Sequence, residues 1–267
     1  MRVSMKRSLV TLMVGALTMG GCSLLSSKQD IASELRVGVN DGYPPLSFVE
    51  DGVVRGIEAD FAQMLGEQLG KPVRFVPMQI DDLIPALNDN RIDIIMAGMS
   101  VTESRAEQAA FVEPYARVGQ MALVREVDYL KLRNPAALNW PTSHVGVKKG
   151  TTGAKFAHDT LRTAKIVEFA EVDQAIAALR AGEITFFVHD APTIWRIAGT
   201  PLNPDPDLIG LYQPLTEEYL AWAIRKDATA LRERLNDIVI EWKKNGKIKA
   251  VLDRWVPVRK VAADPGE

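Results

Sequence analysis

One apolar pattern is written twice in this chain, and the repetition constrains the fold more than any single motif. Val145-Gly146-Val147 repeats Val37-Gly38-Val39. Ala178-Leu179, Gly182 and Ile184-Thr185-Phe186-Phe187 repeat Ala86-Leu87, Asn90 and Ile92-Asp93-Ile94-Ile95, each 92 residues further on. Even the helix stop recurs, because Asn90 and Gly182 are the residue types that best tolerate a left-handed turn. Around these anchors, short apolar runs alternate with amphipathic stretches, the sign of α/β architecture. Leu35 to Val39, Val73 to Val76 and Ile92 to Ala97 read as strands. Glu58 to Leu69 reads as a helix, with Phe61, Met64, Leu65 and Leu69 on one face. A second helix is expected from an Asp81 cap through Leu87, with Pro85 in its first turn. Near the end, Leu231, Leu235, Ile238, Val239 and Trp242 form one helix face stopped by Gly246, and Val251, Leu252 and Trp255 pack a last helix. Two α/β lobes of related design follow. Glu113 to Val124 and Glu217 to Arg225 read as extended crossovers between them. The expected division is 34–118 plus 222–258 for a discontinuous first lobe, and 119–221 for the second. Two crossovers act as a hinge and leave a crevice where ligands favour binding.

With 267 residues, 47% hydrophobic and 25% charged, the chain has enough apolar material for two cores. The net charge of −2, without a basic stripe, gives no sign of nucleic-acid binding. One cysteine and the scattered histidines His144, His158 and His189 leave no metal cluster, so neither a metal nor another cofactor is expected. The first residues are an address. Arg2, Lys6 and Arg7 precede an apolar run from Leu9 to Gly21, too short to span a bilayer and suited to an export signal. Met19-Gly20-Gly21 before Cys22 resembles the bacterial lipoprotein box, which implies cleavage after 21 and a lipid on Cys22; a plain signal peptide is the alternative. Residues 22–33 read as a tether and 259–267 as a polar tail. The body is then placed outside the cytoplasm.

Polar groups gather after the strands, where open α/β sheets bind ligands. Thr102 is a helix N-cap that puts Arg105 in the first turn, and its guanidinium offers a planar fork to a carboxylate. Pairing with Glu103 or Glu107 is the structural alternative. Gly150 to Gly153 opens a helix whose free N–H groups, with the Thr152 hydroxyl, suit the same carboxylate; the stretch does not match a nucleotide loop. Asp190 supplies a counter-charge for an ammonium group, or else caps the helix from Pro192. Tyr43 covers the ligand or packs against Pro44-Pro45. Lys149 faces the pocket or, by preference, the solvent. The chemistry shared by this set is recognition of a zwitterion.

Tyr43-Pro44-Pro45-Leu46-Ser47-Phe48, Gly56-Ile57-Glu58-Ala59-Asp60-Phe61, Leu83-Ile84-Pro85-Ala86-Leu87, Met99 to Arg105 with Glu113-Pro114-Tyr115, and Gly150-Thr151-Thr152 resemble the bacterial extracellular solute-binding proteins of family 3. The resemblance spans about Leu35 to Pro257. It implies a two-lobed periplasmic binding protein fold of class II topology, an amino-acid ligand, and an ABC permease and ATPase as clients. By position, it makes Arg105 the clamp for the α-carboxylate, with Ser100 and Thr152 as helpers, and Asp190 the receiver of the α-ammonium. Asn40 and Tyr43 fall on the ligand-contacting loop. Ile80 replaces a stacked aromatic ring, and Ala97 and Gly98 replace small hydroxyl residues at the ammonium end. These departures favour a neutral, apolar or small amino acid over arginine or lysine. No catalytic residue and a monomeric state are expected. Two other readings use the same scaffold: a cyclohexadienyl dehydratase acting on prephenate or arogenate, and a ligand-loaded partner of a membrane sensor.

Overall fold

A computed structural model of the chain describes residues 34–200, 203–211 and 213–256. The expected export signal, the Cys22 anchor, the tether and the polar tail lie outside the described residues. The protein is a mixed α/β molecule built on two five-stranded sheets. In the first, the strands run in the order Val73–Met78, Leu35–Asn40, Ile94–Ile95, Ala223–Ile224, Ala110–Phe111. In the second, the order is Lys165–Phe169, His144–Lys148, Phe186–Asp190, Gln120–Arg125, Leu208–Leu211. Each sheet opens with three parallel strands and closes with antiparallel ones.

The sequence repeat is visible as one packing solution used twice. The middle one of the three parallel strands in each sheet carries a glycine because an isoleucine leading into the next strand presses on it. A Cβ on Gly38 would lie 2.4 Å from Ile92 Cδ1, and one on Gly146 would lie 2.4 Å from Ile184 Cδ1. Ile92 and Ile184 are the repeated residues. Asn90 and Gly182 both take the left-handed conformation, at φ 58° and 76°. Parallel strands need cover on both faces, and the helices supply it. Ile57–Leu69 and Thr229–Lys244 pack one face of the first sheet around Phe61, Trp222 and Trp242, while Ile80–Asn88 covers the other. Thr152–Thr160 and Val172–Ala181 do the same for the second.

One expectation about a helix is corrected. The helix begins at Ile80, before Asp81, and its cap is Gln79, so Pro85 lies inside the helix and not in its first turn. Pro85 is on the exposed face, with Leu83, Ile84, Ala86 and Leu87 buried, so the hydrogen bond it deletes is on the water side.

Between the sheets, Ala116–Val118 and Glu218–Leu220 pair antiparallel, Glu218 against Val118 and Leu220 against Ala116. The strand ends of both sheets face each other across this connection. Four contacts join the facing ends. Arg105 donates to the Gly150 carbonyl at 3.5 Å, Lys148 to the Gly42 carbonyl at 3.5 Å and Thr193 to the Pro44 carbonyl at 3.3 Å. The Tyr43 and His189 rings lie 5.3 Å apart.

Candidate functional site

The cleft between the facing strand ends is lined by residues from both sheets. All eight expected ligand contacts line it: Asn40, Tyr43, Ile80, Gly98, Ser100 and Arg105 from one side, Thr152 and Asp190 from the other. Met99, Lys148, Thr151 and His189 complete the wall.

Arg105 is placed by a short turn. Thr102 caps the helix Glu103–Ala106, its hydroxyl accepting the Arg105 N–H at 3.3 Å. The guanidinium donates to the Ser100 carbonyl at 2.9 Å as well as to Gly150. No ion pair with Glu103 or Glu107 forms among the described residues. Burial pulls this guanidinium below its usual pKa, with Glu218 and Asp81 opposing the shift. Most of the fork's donors are left facing the cleft.

Asp190 ends the strand Phe186–Asp190 and stands at the cap position of the helix Ala191–Ala198, yet its side chain makes no capping bond. It accepts instead from Gln120 Nε2. Burial raises its pKa well above the ordinary carboxylate range, and Glu218 adds to that. No cation contacts Asp190 among the described residues. A buried acid without a cationic partner is costly, and this one faces the cleft.

Gln120 was not singled out by sequence reasoning and is the hub of the second wall. Fully buried, its Nε2 also meets Thr152 Oγ1 at 3.1 Å and Glu218 Oε1 at 3.0 Å. The cap of the Thr152–Thr160 helix is Thr151, which accepts the Ala154 N–H at 3.2 Å and donates to the Lys148 carbonyl at 2.7 Å. Thr152 is therefore the first helical residue, free of capping duty. Lys148, and not its exposed neighbour Lys149, turns into the cleft.

Sequence reasoning places His189 at a strand end beside Asp190 but gives it no ligand contact. Its Nδ1 accepts the Asp190 backbone N–H at 2.8 Å. Burial pushes its pKa down to about 3, and the charges of Lys148 and Arg196 push the same way, so the ring is neutral near pH 7. His189 Nε2 and the Tyr43 hydroxyl are buried and have no protein partner among the described residues. No group of side chains suited to a metal occurs there either.

Glu58 has a different place. It is fully buried behind the cleft, accepting from Gly98 N at 2.6 Å, Tyr115 Oη at 2.7 Å and Trp222 Nε1 at 3.0 Å. Burial raises its pKa to about 7 against the pull of those donors. Both oxygens are occupied by donors, so its role is to hold the Gly98 loop.

The profile of the bacterial extracellular solute-binding proteins, family 3, matches residues 35–258. The chain belongs to that family. Among curated relatives of this family 3 protein, ABC transporter arginine-binding protein 1 of Escherichia coli K12 is 24% identical over 95% of this chain and 100% of its own. Cyclohexadienyl dehydratase of Pseudomonas aeruginosa is 26% identical over 84% of this chain and 83% of its own. The crystal structure of the ancestral amino acid-binding protein AncCDT-1, a precursor of cyclohexadienyl dehydratase, superposes with a TM-score of 0.77. It is 32% identical over 84% of this chain and 95% of that one. The two-lobed fold is thus shared with receptors and with an enzyme. No helix among the described residues is long and apolar enough to cross a membrane.

Proposed function

We propose that this protein is an extracytoplasmic receptor that captures an amino acid between its two lobes and hands it to an ABC importer. The observation that carries this is the pair of opposite charges on opposite walls: Arg105 on one side and Asp190 on the other, neither ion-paired among the described residues. An α-carboxylate takes the guanidinium fork, with Ser100 and Thr152 as flanking donors. An α-ammonium takes Asp190 and relieves the cost of burying that acid. The moving units are 34–118 with 222–258, against 119–221. Each holds part of the ligand, so only the closed arrangement makes every contact, and differential contact is what shifts an open–closed equilibrium. Lipid attachment at Cys22 keeps the monomeric body beside the permease.

The arginine-binding relative supports this reading. The dehydratase relative keeps a lyase as the second one, and it requires an acid in the cleft. Asp190, whose pKa burial raises, is the group that would have to serve; Glu58 is turned away.

The deciding experiment is a thermal-shift screen of amino acids against the purified protein. A ligand at 100 times its dissociation constant raises stability by about 2.7 kcal/mol. Arg105→Ala and Asp190→Ala should each abolish the rise while the free protein melts nearly as before. If both variants keep the full response, the site is elsewhere. Formation of phenylpyruvate from prephenate, or of phenylalanine from arogenate, would establish the lyase instead.

A further inference from the structure

Two charges of the cleft are accounted for by the ends of any amino acid. A third is not. Lys148 lines the cleft with its side chain only 4% exposed. Its Nζ lies 3.4 Å from Glu171 Oε2 and 3.5 Å from the Gly42 carbonyl, both long contacts, and Glu171 is itself 45% exposed to screening water. The ammonium therefore keeps donor capacity for something inside the cleft.

The neighbouring groups are donors too. Because His189 Nδ1 accepts the Asp190 N–H, the single hydrogen of the neutral ring sits on Nε2. That N–H is buried, lines the cleft and has no protein partner among the described residues. Asn40 spends its Oδ1 on the Gly42 N–H at 3.0 Å, which leaves its amide N–H₂ as the free end. The Tyr43 hydroxyl, also unpartnered, can donate or accept.

We propose that the cleft selects an α-amino acid with a carboxylate side chain, the class of glutamate and aspartate, whose second carboxylate is received by Lys148 with His189 and Asn40. This rests on the receptor reading and names its ligand class. The charged groups on the wall are plus, minus, plus at Arg105, Asp190 and Lys148; the complement is minus, plus, minus. A carboxylate is acceptor-only and satisfies several donors at once. An arginine or lysine side chain would set a cation against Lys148. An apolar side chain would leave the His189 N–H unpaired, the costly case, and the Lys148 ammonium with only its long contacts to Glu171 and Gly42. An amide side chain offers these donors one acceptor oxygen where a carboxylate offers two, and brings no charge to meet Lys148. The proposal departs from the neutral, apolar or small side chain expected from the substitutions at Ile80, Ala97 and Gly98.

The test is calorimetric titration of the purified protein at neutral pH and low salt with L-glutamate, L-aspartate, L-glutamine, L-leucine and L-arginine, on the natural chain and on Lys148→Met. An acidic amino acid should bind at least about tenfold tighter than glutamine, leucine or arginine, and Lys148→Met should weaken it by at least about tenfold without weakening glutamine. Lys148→Arg, which keeps the charge, should retain the preference and serves if the methionine variant fails to fold. Tightest binding of glutamine, leucine or arginine overturns the acidic assignment and leaves the receptor standing. Equal loss of acidic and neutral ligands on Lys148→Met, with the fold intact, also overturns it. Heat from none of the five overturns this assignment, and silence across the wider amino-acid screen removes the receptor reading as well.

Discussion

Glu58 behind the first sheet's strand ends and Asp190 at the rim of the second are both buried carboxylates, yet their surroundings differ. Glu58 has three donors on its two oxygens, two of them side chains of the aromatic core, and it fixes the loop at Gly98. Asp190 has one donor, Gln120, and opens onto the cleft. The first acid is satisfied by its own fold, whereas the second is left for something else to satisfy. Two lobes built to the same plan have thus put the same chemical group to different uses, one internal and one external.

The largest effect expected from this contrast is on stability. Glu58→Gln sets an amide N–H₂ against the Trp222 N–H and should cost about 3 kcal/mol in urea unfolding. Asp190→Asn should cost the free protein less than about 1 kcal/mol. Equal losses would break the comparison. Next come the paired glycines, which test how alike the two lobes are. Gly38→Ala and Gly146→Ala should each cost about 2 kcal/mol through overpacking against Ile92 and Ile184. A tolerated change in one lobe alone would show that the repeat is only skin deep.

The pH dependence is a finer probe. For Glu58 the folded pKa, about 7, lies above its unfolded value, so its contribution is complete below about pH 4.5 and is lost as pH rises toward 7. Asp190 acts in the same direction. His189 is opposite: its folded value of about 3 lies below the unfolded one, so its contribution is complete above about pH 6.5 and is lost on acidification. Between pH 4.5 and 6.5 the terms oppose, each with a slope of about 1.4 kcal/mol per pH unit. Glu58→Gln should tilt the stability profile upward with pH, and His189→Gln should tilt it downward. Parallel profiles for the two variants would refute the opposed arrangement. The smallest effect expected is at the seam. Thr193→Val removes the bond to the Pro44 carbonyl and should weaken ligand binding by less than about tenfold, with little change in the melting of the free protein.

Much of this architecture is legible in the residues. The 92-residue repeat marks Ile92 and Ile184, the very residues whose packing demands Gly38 and Gly146. Thr102 three residues before Arg105 is a local cap signal, and local signals survive without tertiary context. Asp190 and Thr152 stand at helix starts after strands, where α/β sheets place ligands. What was not legible depends on long-range pairing or on parity. Lys148 and Lys149 are adjacent on a strand end, and only the observed twist and burial decide which turns inward. Gln120 reads as one polar residue in an apolar strand, while its partners Thr152, Asp190 and Glu218 are 32 to 98 residues away. Glu58 opens an expected helix as an acid near the predicted crevice, and only long-range pairing shows that Tyr115 and Trp222 close over it. Pro85 suggests a helix start because that is where proline is cheapest, yet exposure makes the interior tolerable.

The Gln120 amide joins three groups: the acid facing the cleft, the Thr152 hydroxyl, and Glu218 on a strand that runs between the lobes. Under the proposed function, an ammonium at Asp190 would share a carboxylate that the amide already holds by one oxygen. The amide has two N–H bonds for three acceptors, so a change in its bond to Asp190 would be felt at Thr152 and Glu218. Such coupling would be mutual, so a bend in the connecting strand at Glu218 would also alter the amide's hold on Asp190.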